Sequence, residues 1–154
     1  MWLALYIVAG SLLAGLLAIA LVLVTHVEDW SRDLTTNVAA TSDDAGDERL
    51  RTIESPLGPA ELADKTIAAA RELPRWKLVE PSAKTTDESA TVLHFVRTTG
   101  LMGFQDDIRV RIEPAAGGGS RLSAESRSRV GKGDLGQNPR NLRELLDKVR
   151  ASGP

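Results

Sequence analysis

The chain contains 154 residues, 26% of them charged, and carries a formal net charge of −2 at pH 7. It has no cysteine and only two histidines, which excludes disulfides and thiol nucleophiles and disfavours cysteine- or histidine-based metal sites. A slightly acidic chain with few aromatic residues is also poorly suited to bind nucleic acid. From composition we therefore expect no metal, no cofactor and no nucleic-acid partner.

The first predicted element is a membrane helix at residues 1–24, a run without a charged side chain. A helix of this length rises about 36 Å, enough to cross a hydrocarbon core of about 30 Å with some tilt. No Lys or Arg precedes the run and no small-residue cleavage site follows it, which argues against a cleaved signal peptide. We expect a retained single-pass anchor. By analogy with an uncleaved signal sequence, the soluble domain is expected on the extracytoplasmic side.

Small side chains share one face of this predicted helix. Gly10, Ala14 and Ala18 recur every four residues, a spacing that lets two membrane helices approach closely. The same residue types are common in membrane helices that do not associate. The pattern therefore fits both a homodimer through the membrane helix and a monomeric anchor.

Residues 25–50 are predicted to form a polar tether, because they are rich in Asp, Ser and Thr and poor in large apolar side chains. Residues 51–151 are expected to form one folded domain. Acidic residues outnumber basic ones between 27 and 49, whereas basic residues outnumber acidic ones between 108 and 150. The basic end either faces an anionic partner or is a solvated surface of mixed sign.

The predicted elements of the folded domain follow the order β-α-β-β-β-β-α. A strand at 51–54 precedes a helix that begins at Pro59 and ends before Pro74. Further strands are predicted from Trp76 and at 90–98, 107–113 and 121–128, and a last helix is capped by Asn138 and carries an apolar stripe at Leu142, Leu145, Leu146 and Val149. This order predicts an α+β fold with both helices on one face of an antiparallel sheet.

Strict alternation in the strand at 107–113 defines its two faces. Ile108, Val110 and Ile112 form the buried face, which places Asp107 outside with the arginines. Asp106 then points inward, where a carboxylate needs a hydrogen-bonding partner. We expect that partner in the loop that bears Arg129.

A glycine-rich loop joins the last strand to the last helix. Gly131-Lys132-Gly133-Asp134-Leu135-Gly136 matches G-x-G-x-x-G, but the chain offers neither the βαβ unit nor the later acidic residue of a dinucleotide site. A basic loop before a helix N-terminus can still hold an anion. The candidate anion-binding residues are Arg127, Arg129, Gly131, Lys132, Gly133 and Asn138. The alternative is structural: the glycines form a tight turn, Asp134 caps loop N–H groups, and Arg129 pairs with a carboxylate.

Residues 126–138, SRSRVGKGDLGQN, resemble the RS-x-SR-x-G-x-x-D-x-G-x-N signature of the DUF1499 family, a domain of unknown function. Upstream, Gly103-Phe104-Gln105-Asp106-Asp107 is similar to that family's F-x-DD segment. The resemblance implies no activity. The signature residues it selects are Asp106, Asp107, Ser126, Ser128, Arg129, Gly131, Asp134, Gly136 and Asn138.

Two classes of function remain open at this point. The first is a membrane-anchored binding or scaffolding module for an anionic lipid headgroup, small molecule or acidic protein segment. The second is a hydrolase-type enzyme that uses Asp106 or Asp134 together with Arg129 or Lys132. Adjacent aspartates on one strand point to opposite faces, so Asp106 and Asp107 share an ion only if a bulge intervenes. The sequence therefore favours binding over catalysis.

Overall fold

The computed structural model describes residues 2–27, 29–84, 90–100 and 102–153. The helices are α1 (Trp2–His26), α2 (Trp30–Thr35), α3 (Pro59–Arg71) and α4 (Gln137–Ala151), with a single 3-10 turn at Glu48–Leu50. The strands are β1 (Val38–Ala40), β2 (Ile53–Ser55), β3 (Trp76–Lys84), β4 (Thr91–Thr98), β5 (Gln105–Pro114) and β6 (Ser120–Ser128). The predicted α+β class and the N-terminal apolar helix are confirmed.

Helix α1 is apolar over the segment Trp2–Leu21, and the rest of the chain does not cover that segment. Its segment Trp2–Leu21 is long and apolar enough to cross a membrane, and none of it is buried inside the protein. Signal sequences near an N-terminus have the same properties. The structure therefore establishes one N-terminal apolar helix that is either a membrane span or a signal sequence.

The six strands form one antiparallel sheet in the order β1-β6-β5-β4-β3. The edge beside β6 is shared by two short strands: β1 pairs with residues 125–127 and β2 with residues 120–122. Between them the chain leaves the sheet and forms the 3-10 turn, which is capped by the Asp47 side chain.

The structure differs from the predicted tether at residues 25–50. Helix α2 and strand β1 lie within this segment, and β1 is part of the sheet. The segment is held by polar contacts: Thr41 N donates to the Ala124 carbonyl at 2.9 Å, and Arg143 Nε donates to Asp47 at 2.7 Å. Hydropathy patterns do not detect attachments of this kind, because no apolar stripe is needed for them.

The core lies between α3, α4 and the inner face of the sheet. Ile108, Val110 and Ile112 are fully buried there, and the predicted stripe of α4 packs against the same cluster. Helix α4 begins at Gln137, one residue before the predicted cap Asn138, and its N-cap residue is Gly136 in the left-handed conformation (φ 73°). On the outer face of the sheet, β5 leaves Gln105 and Arg109 exposed.

Candidate functional site

Asp106 lies on the inner face of β5 and is only 1% exposed, as its strand position predicts. Ser128 Oγ donates to its Oδ1 at 2.7 Å, and Asn141 Nδ2 donates to its Oδ2 at 2.9 Å. These partners lie on β6 and α4, whereas we expected them in the loop that bears Arg129; Arg129 itself follows Ser128 and points to the opposite face of the sheet. Asp106 therefore joins β5 to β6 and α4 through hydrogen bonds to uncharged side chains.

Asn138 is the centre of the same buried network. Its side chain is fully buried: Oδ1 accepts from Ser126 Oγ at 2.6 Å, and Nδ2 donates to Ser128 Oγ at 3.0 Å and to the Asn37 carbonyl at 2.8 Å. Asn141 Nδ2 also donates to Ser126 Oγ at 3.1 Å. Since the Asn138 amide is occupied by these partners, it has no group directed at a ligand.

Asp134 occupies the N-terminus of α4. Its two carboxylate oxygens accept from the backbone N–H groups of Gly136, at 2.9 Å, and Asn138, at 2.8 Å. An external anion at a helix N-terminus would use such groups. Here the protein's own carboxylate fills the position, which is the structural role considered for Asp134 from the sequence.

Helix α2 packs directly on the glycine loop. The Asp33 carbonyl accepts from Asp134 N and Leu135 N, both at 3.0 Å, and Asn37 Nδ2 donates to the Gly131 carbonyl at 2.8 Å. A Cβ on Gly133 would lie 2.5 Å from the backbone of Leu34. Gly131 and Gly133 thus let the loop receive the segment that follows α1.

Asp107 lies on the outer face in contact with His94 and Arg129. Arg129 Nε and Nη2 donate to its two oxygens at 2.8 and 2.7 Å, and His94 Nε2 lies 2.7 Å from Oδ1. The hydrogen bond from Arg129, followed by that from His94, lowers the pKa of Asp107 to about 2 against the opposing effect of partial burial. The pair predicted for Arg129 is therefore present, and its carboxylate partner is Asp107.

The residues of the enzyme alternative are held apart by these contacts. Asp106 faces the core, Asp134 caps α4, and Arg129 is bound to Asp107 on the outer face. Within the described ranges, no group of three or more His, Asp or Glu side chains could hold a metal ion. On the outer face, Asp107 contacts the His94 imidazole and can hold it in one orientation. This is a positioning role for Asp107.

Arg127 and Lys132, two of the six candidate anion-binding residues, are exposed and, within the described part of the chain, are not held by a two-point ion pair such as that of Arg129 with Asp107. Lys132 is exposed in the glycine loop, and Arg127 is exposed on β6 with a 3.5 Å ion pair to Glu125. Since both partners of that pair are largely solvated, it contributes at most about 1 kcal/mol. Arg127 and Lys132 therefore remain accessible, whereas Arg129 and Asn138 are occupied by protein groups.

The structure adds Arg109, which the sequence placed on the outer face but did not select as a site residue. Arg109 is exposed and makes no ion pair with another described residue. Together with Arg111, Ser123 and Glu125, it lines an open groove of about 410 Å³ beside β1. The alternation of β5 predicts its outward direction, but the groove depends on how β1 pairs with β6.

A comparison with protein families identifies a family for this chain. The model of the family described as a protein of unknown function, DUF1499, matches residues 29–149. This range begins at the residue that caps α2 and reaches the last turns of α4, so it contains the whole sheet and excludes α1. A search of the curated proteins finds no match. The chain therefore belongs to the DUF1499 family, a family of proteins of unknown function.

Proposed function

We propose that this protein is a membrane-anchored binding module that retains α1 as its anchor and binds an anionic ligand on the outer face of its sheet. The uncharged run at residues 1–24 is longer than the apolar region of a typical signal peptide and is not followed by a small-residue cleavage site, and both features support retention of α1. We infer, by analogy with an uncleaved signal sequence, that the folded domain lies on the extracytoplasmic side.

The distribution of polar groups supports binding rather than catalysis. Most of the signature side chains form hydrogen bonds with one another or with the backbone: Asp106 with Ser128, Ser126 with Asn138, and Asp134 with the start of α4. Such a network rigidifies the junction of β5, β6 and α4 and presents no reactive group to solvent. A ligand is then expected on a surface that this network supports.

The outer face of the sheet is that surface, and it is basic. The cations of β5 and β6 on this face outnumber the acidic side chains; they are Arg109, Arg111, Arg121, Arg127 and, just beyond β6, Arg129. Guanidinium groups bind phosphate and carboxylate groups through paired hydrogen bonds. The observation that carries the proposal is Arg109, which is exposed in the groove beside Arg111. Among the described residues, no carboxylate forms an ion pair with Arg109.

The test uses the full chain in nanodiscs of phosphatidylcholine, with inorganic pyrophosphate as the probe and calorimetry at low salt as the measurement. Wild type is expected to bind the probe. Arg109→Gln is expected to weaken binding about tenfold, since a hydrogen bond to a charged group contributes about 1.5–3 kcal/mol. Arg71→Gln is the matched control, because Arg71 is also exposed but lies on α3.

A second variant separates the two basic regions. If Lys132→Gln weakens binding and Arg109→Gln does not, the ligand lies on the glycine loop and the assignment to the outer face is wrong. If wild type shows no heat of binding at low salt, the anion-binding proposal is wrong. If Arg71→Gln weakens binding as much as Arg109→Gln, the effect comes from net charge alone.

A further inference from the structure

Exposed apolar side chains of the folded domain gather at one end of the sheet. Apart from Val79, the large apolar side chains after α1 that are most exposed within the described ranges are Trp30, Leu34, Met102, Phe104, Val130 and Leu135, between 37% and 66% exposed. We name these six residues the apolar rim. They come from α2, the turn between β4 and β5, and the glycine loop. A soluble surface rarely gathers so many apolar groups at one place without a partner.

Backbone contacts hold the three segments of the apolar rim together. Leu135 N donates to the Asp33 carbonyl at 3.0 Å, which joins the glycine loop to α2. Arg129 N donates to the Gln105 carbonyl at 3.0 Å, which joins the other end of the loop to the start of β5. Thr99 N and the Phe104 carbonyl, 2.8 Å apart, close the turn between β4 and β5. The three segments that carry the apolar rim therefore meet at one end of the sheet.

The same end of the domain is tied to α1. Helix α1 ends at His26 and α2 begins at Trp30, so the intervening backbone spans at most about 14 Å. Val27, between the two helices, is only 6% exposed, and Asp33 of α2 is 1% exposed. The short connection therefore keeps the apolar rim close to the end of α1.

Helical geometry gives the height of this end above a membrane. If Trp2–Leu21 fills the hydrocarbon core, His26 lies about 7 Å beyond it, within the headgroup layer. Tryptophan is enriched at that depth, which suits Trp30. Two exposed cations, Lys132 in the loop and Arg75 beside Gly100, accompany the apolar side chains and suit anionic headgroups.

We propose that the apolar rim lies on the lipid bilayer, with its side chains in the headgroup region next to α1. This inference rests on the proposed retention of α1 as a membrane span. Contact at the end of the sheet leaves the outer face, with Arg109, directed along the membrane and open to the aqueous phase. The bilayer is the occupant favoured over another protein, because the rim adjoins the segment that enters the membrane.

The experiment uses single cysteines, since the natural chain has none. Full-length Met102→Cys and Val130→Cys report on the rim, and both positions are more than 60% exposed. Val79→Cys is the matched control, an exposed apolar residue on β3, and Gly117→Cys reports on the turn between β5 and β6. Leu12→Cys reports on α1 itself. Each variant carries an environment-sensitive fluorophore in liposomes of phosphatidylcholine and phosphatidylglycerol that contain lipids spin-labelled near the headgroup or deep in the chains.

We expect the labels at 102 and 130 to emit at shorter wavelength and to be quenched several-fold more strongly by the shallow spin label than those at 79 and 117. The label at 12 should be quenched by the deep spin label. Strong quenching at 12 with none at 102 and 130 would overturn the docking and leave the anchor intact. Absence of quenching at 12 would overturn the anchor, and the docking with it.

Two further measurements test whether lipid or a second copy of the chain covers the apolar rim, and whether the charge of Lys132 contributes. A blue shift at 130 that depends on protein density, without lipid quenching, would mean that a second copy of the chain covers the rim, and this would also contradict the proposal. Lys132→Gln, combined with Val130→Cys, should reduce quenching in anionic liposomes and leave it unchanged in liposomes of phosphatidylcholine alone. An equal loss in both liposomes would contradict the role given to the charge.

Discussion

The side-chain amide of Asn138 donates a hydrogen bond to the backbone carbonyl of Asn37 at 2.8 Å, across 101 residues of sequence. The same carbonyl accepts from Ser128 N at 3.0 Å, and the Asn37 side chain donates to the Gly131 carbonyl at 2.8 Å. The start of α4 and the glycine loop are thus fastened to the segment that follows α1. In this protein, the segment at residues 126–138 thus holds the sheet and α4 to α2 and to the residues that follow it.

The contact between Gly133 and α2 gives the first prediction. In Gly133→Ala the new Cβ would lie 2.5 Å from the Leu34 backbone and 2.7 Å from the Asp33 carbonyl, so α2 must move. We expect a loss of roughly 2–3 kcal/mol in the free energy of unfolding, typical of overpacking. Urea unfolding measures this loss, and hydrogen exchange of residues 30–36 should increase. Gly117→Ala, where a Cβ meets nothing within 4 Å, is the control and should change neither quantity.

The second prediction concerns the two adjacent aspartates. Asp106→Ala leaves the buried donors of Ser128 and Asn141 without an acceptor, and we expect a loss of about 3–4 kcal/mol. Asp107→Ala releases groups that water can reach, with an expected loss of at most about 2 kcal/mol. Chemical denaturation of both variants makes the comparison. Equal losses, or a thermal shift with magnesium that Asp106→Ala removes, would contradict the structural role of Asp106.

The third prediction is a dependence of stability on pH. Because the pKa of Asp107 is lowered to about 2 in the folded chain, from 3.8, its ionised form stabilises the fold. That contribution is complete above about pH 4 and is lost as the pH falls through about 2. The difference in unfolding free energy between wild type and Asp107→Asn should therefore shrink between pH 5 and pH 2. A difference that stays constant over this range would argue against the ion pair with Arg129.

The fourth prediction concerns the boundary of the folded domain. A tether at residues 25–50 and a folded domain at 51–151 predict that a chain without residues 1–48 folds cooperatively; in the structure this cut also removes α2, β1 and the Asn37 contacts. We now expect removal of 1–28 to give a sharp thermal transition. Removal of 1–48 should lower its midpoint by on the order of 10 °C, because several buried hydrogen bonds are lost. Identical midpoints for the chains without residues 1–28 and without residues 1–48 would support a folded domain that begins near residue 51.

The fifth prediction concerns retention of α1. We expect the mature protein to keep residues 1–24 and to stay with membranes during carbonate extraction, as a spanning helix does. Intact-protein mass spectrometry measures the mature N-terminus. A terminus near residue 25 would show that α1 is a cleaved signal sequence.

Local sequence patterns predicted much of the architecture. The alternation of Ile108, Val110 and Ile112 and the heptad-like spacing of the leucines in α4 depend only on strand and helix periodicity, and both are confirmed by burial. The same alternation predicted that Asp106 is buried and that Asp107 faces outward. These features needed no knowledge of distant contacts, because side-chain direction follows from position within one element.

Tertiary structure decided the roles of the signature residues and the attachment of residues 29–50. Periodicity does not show that Asn138 reaches Asn37, that Arg129 binds Asp107 instead of Asp106, or that β1 adds to the edge of the sheet. Each of these contacts is polar and joins segments far apart in the chain. Such contacts depend on strand register and on the path of the whole backbone, which a local pattern does not specify.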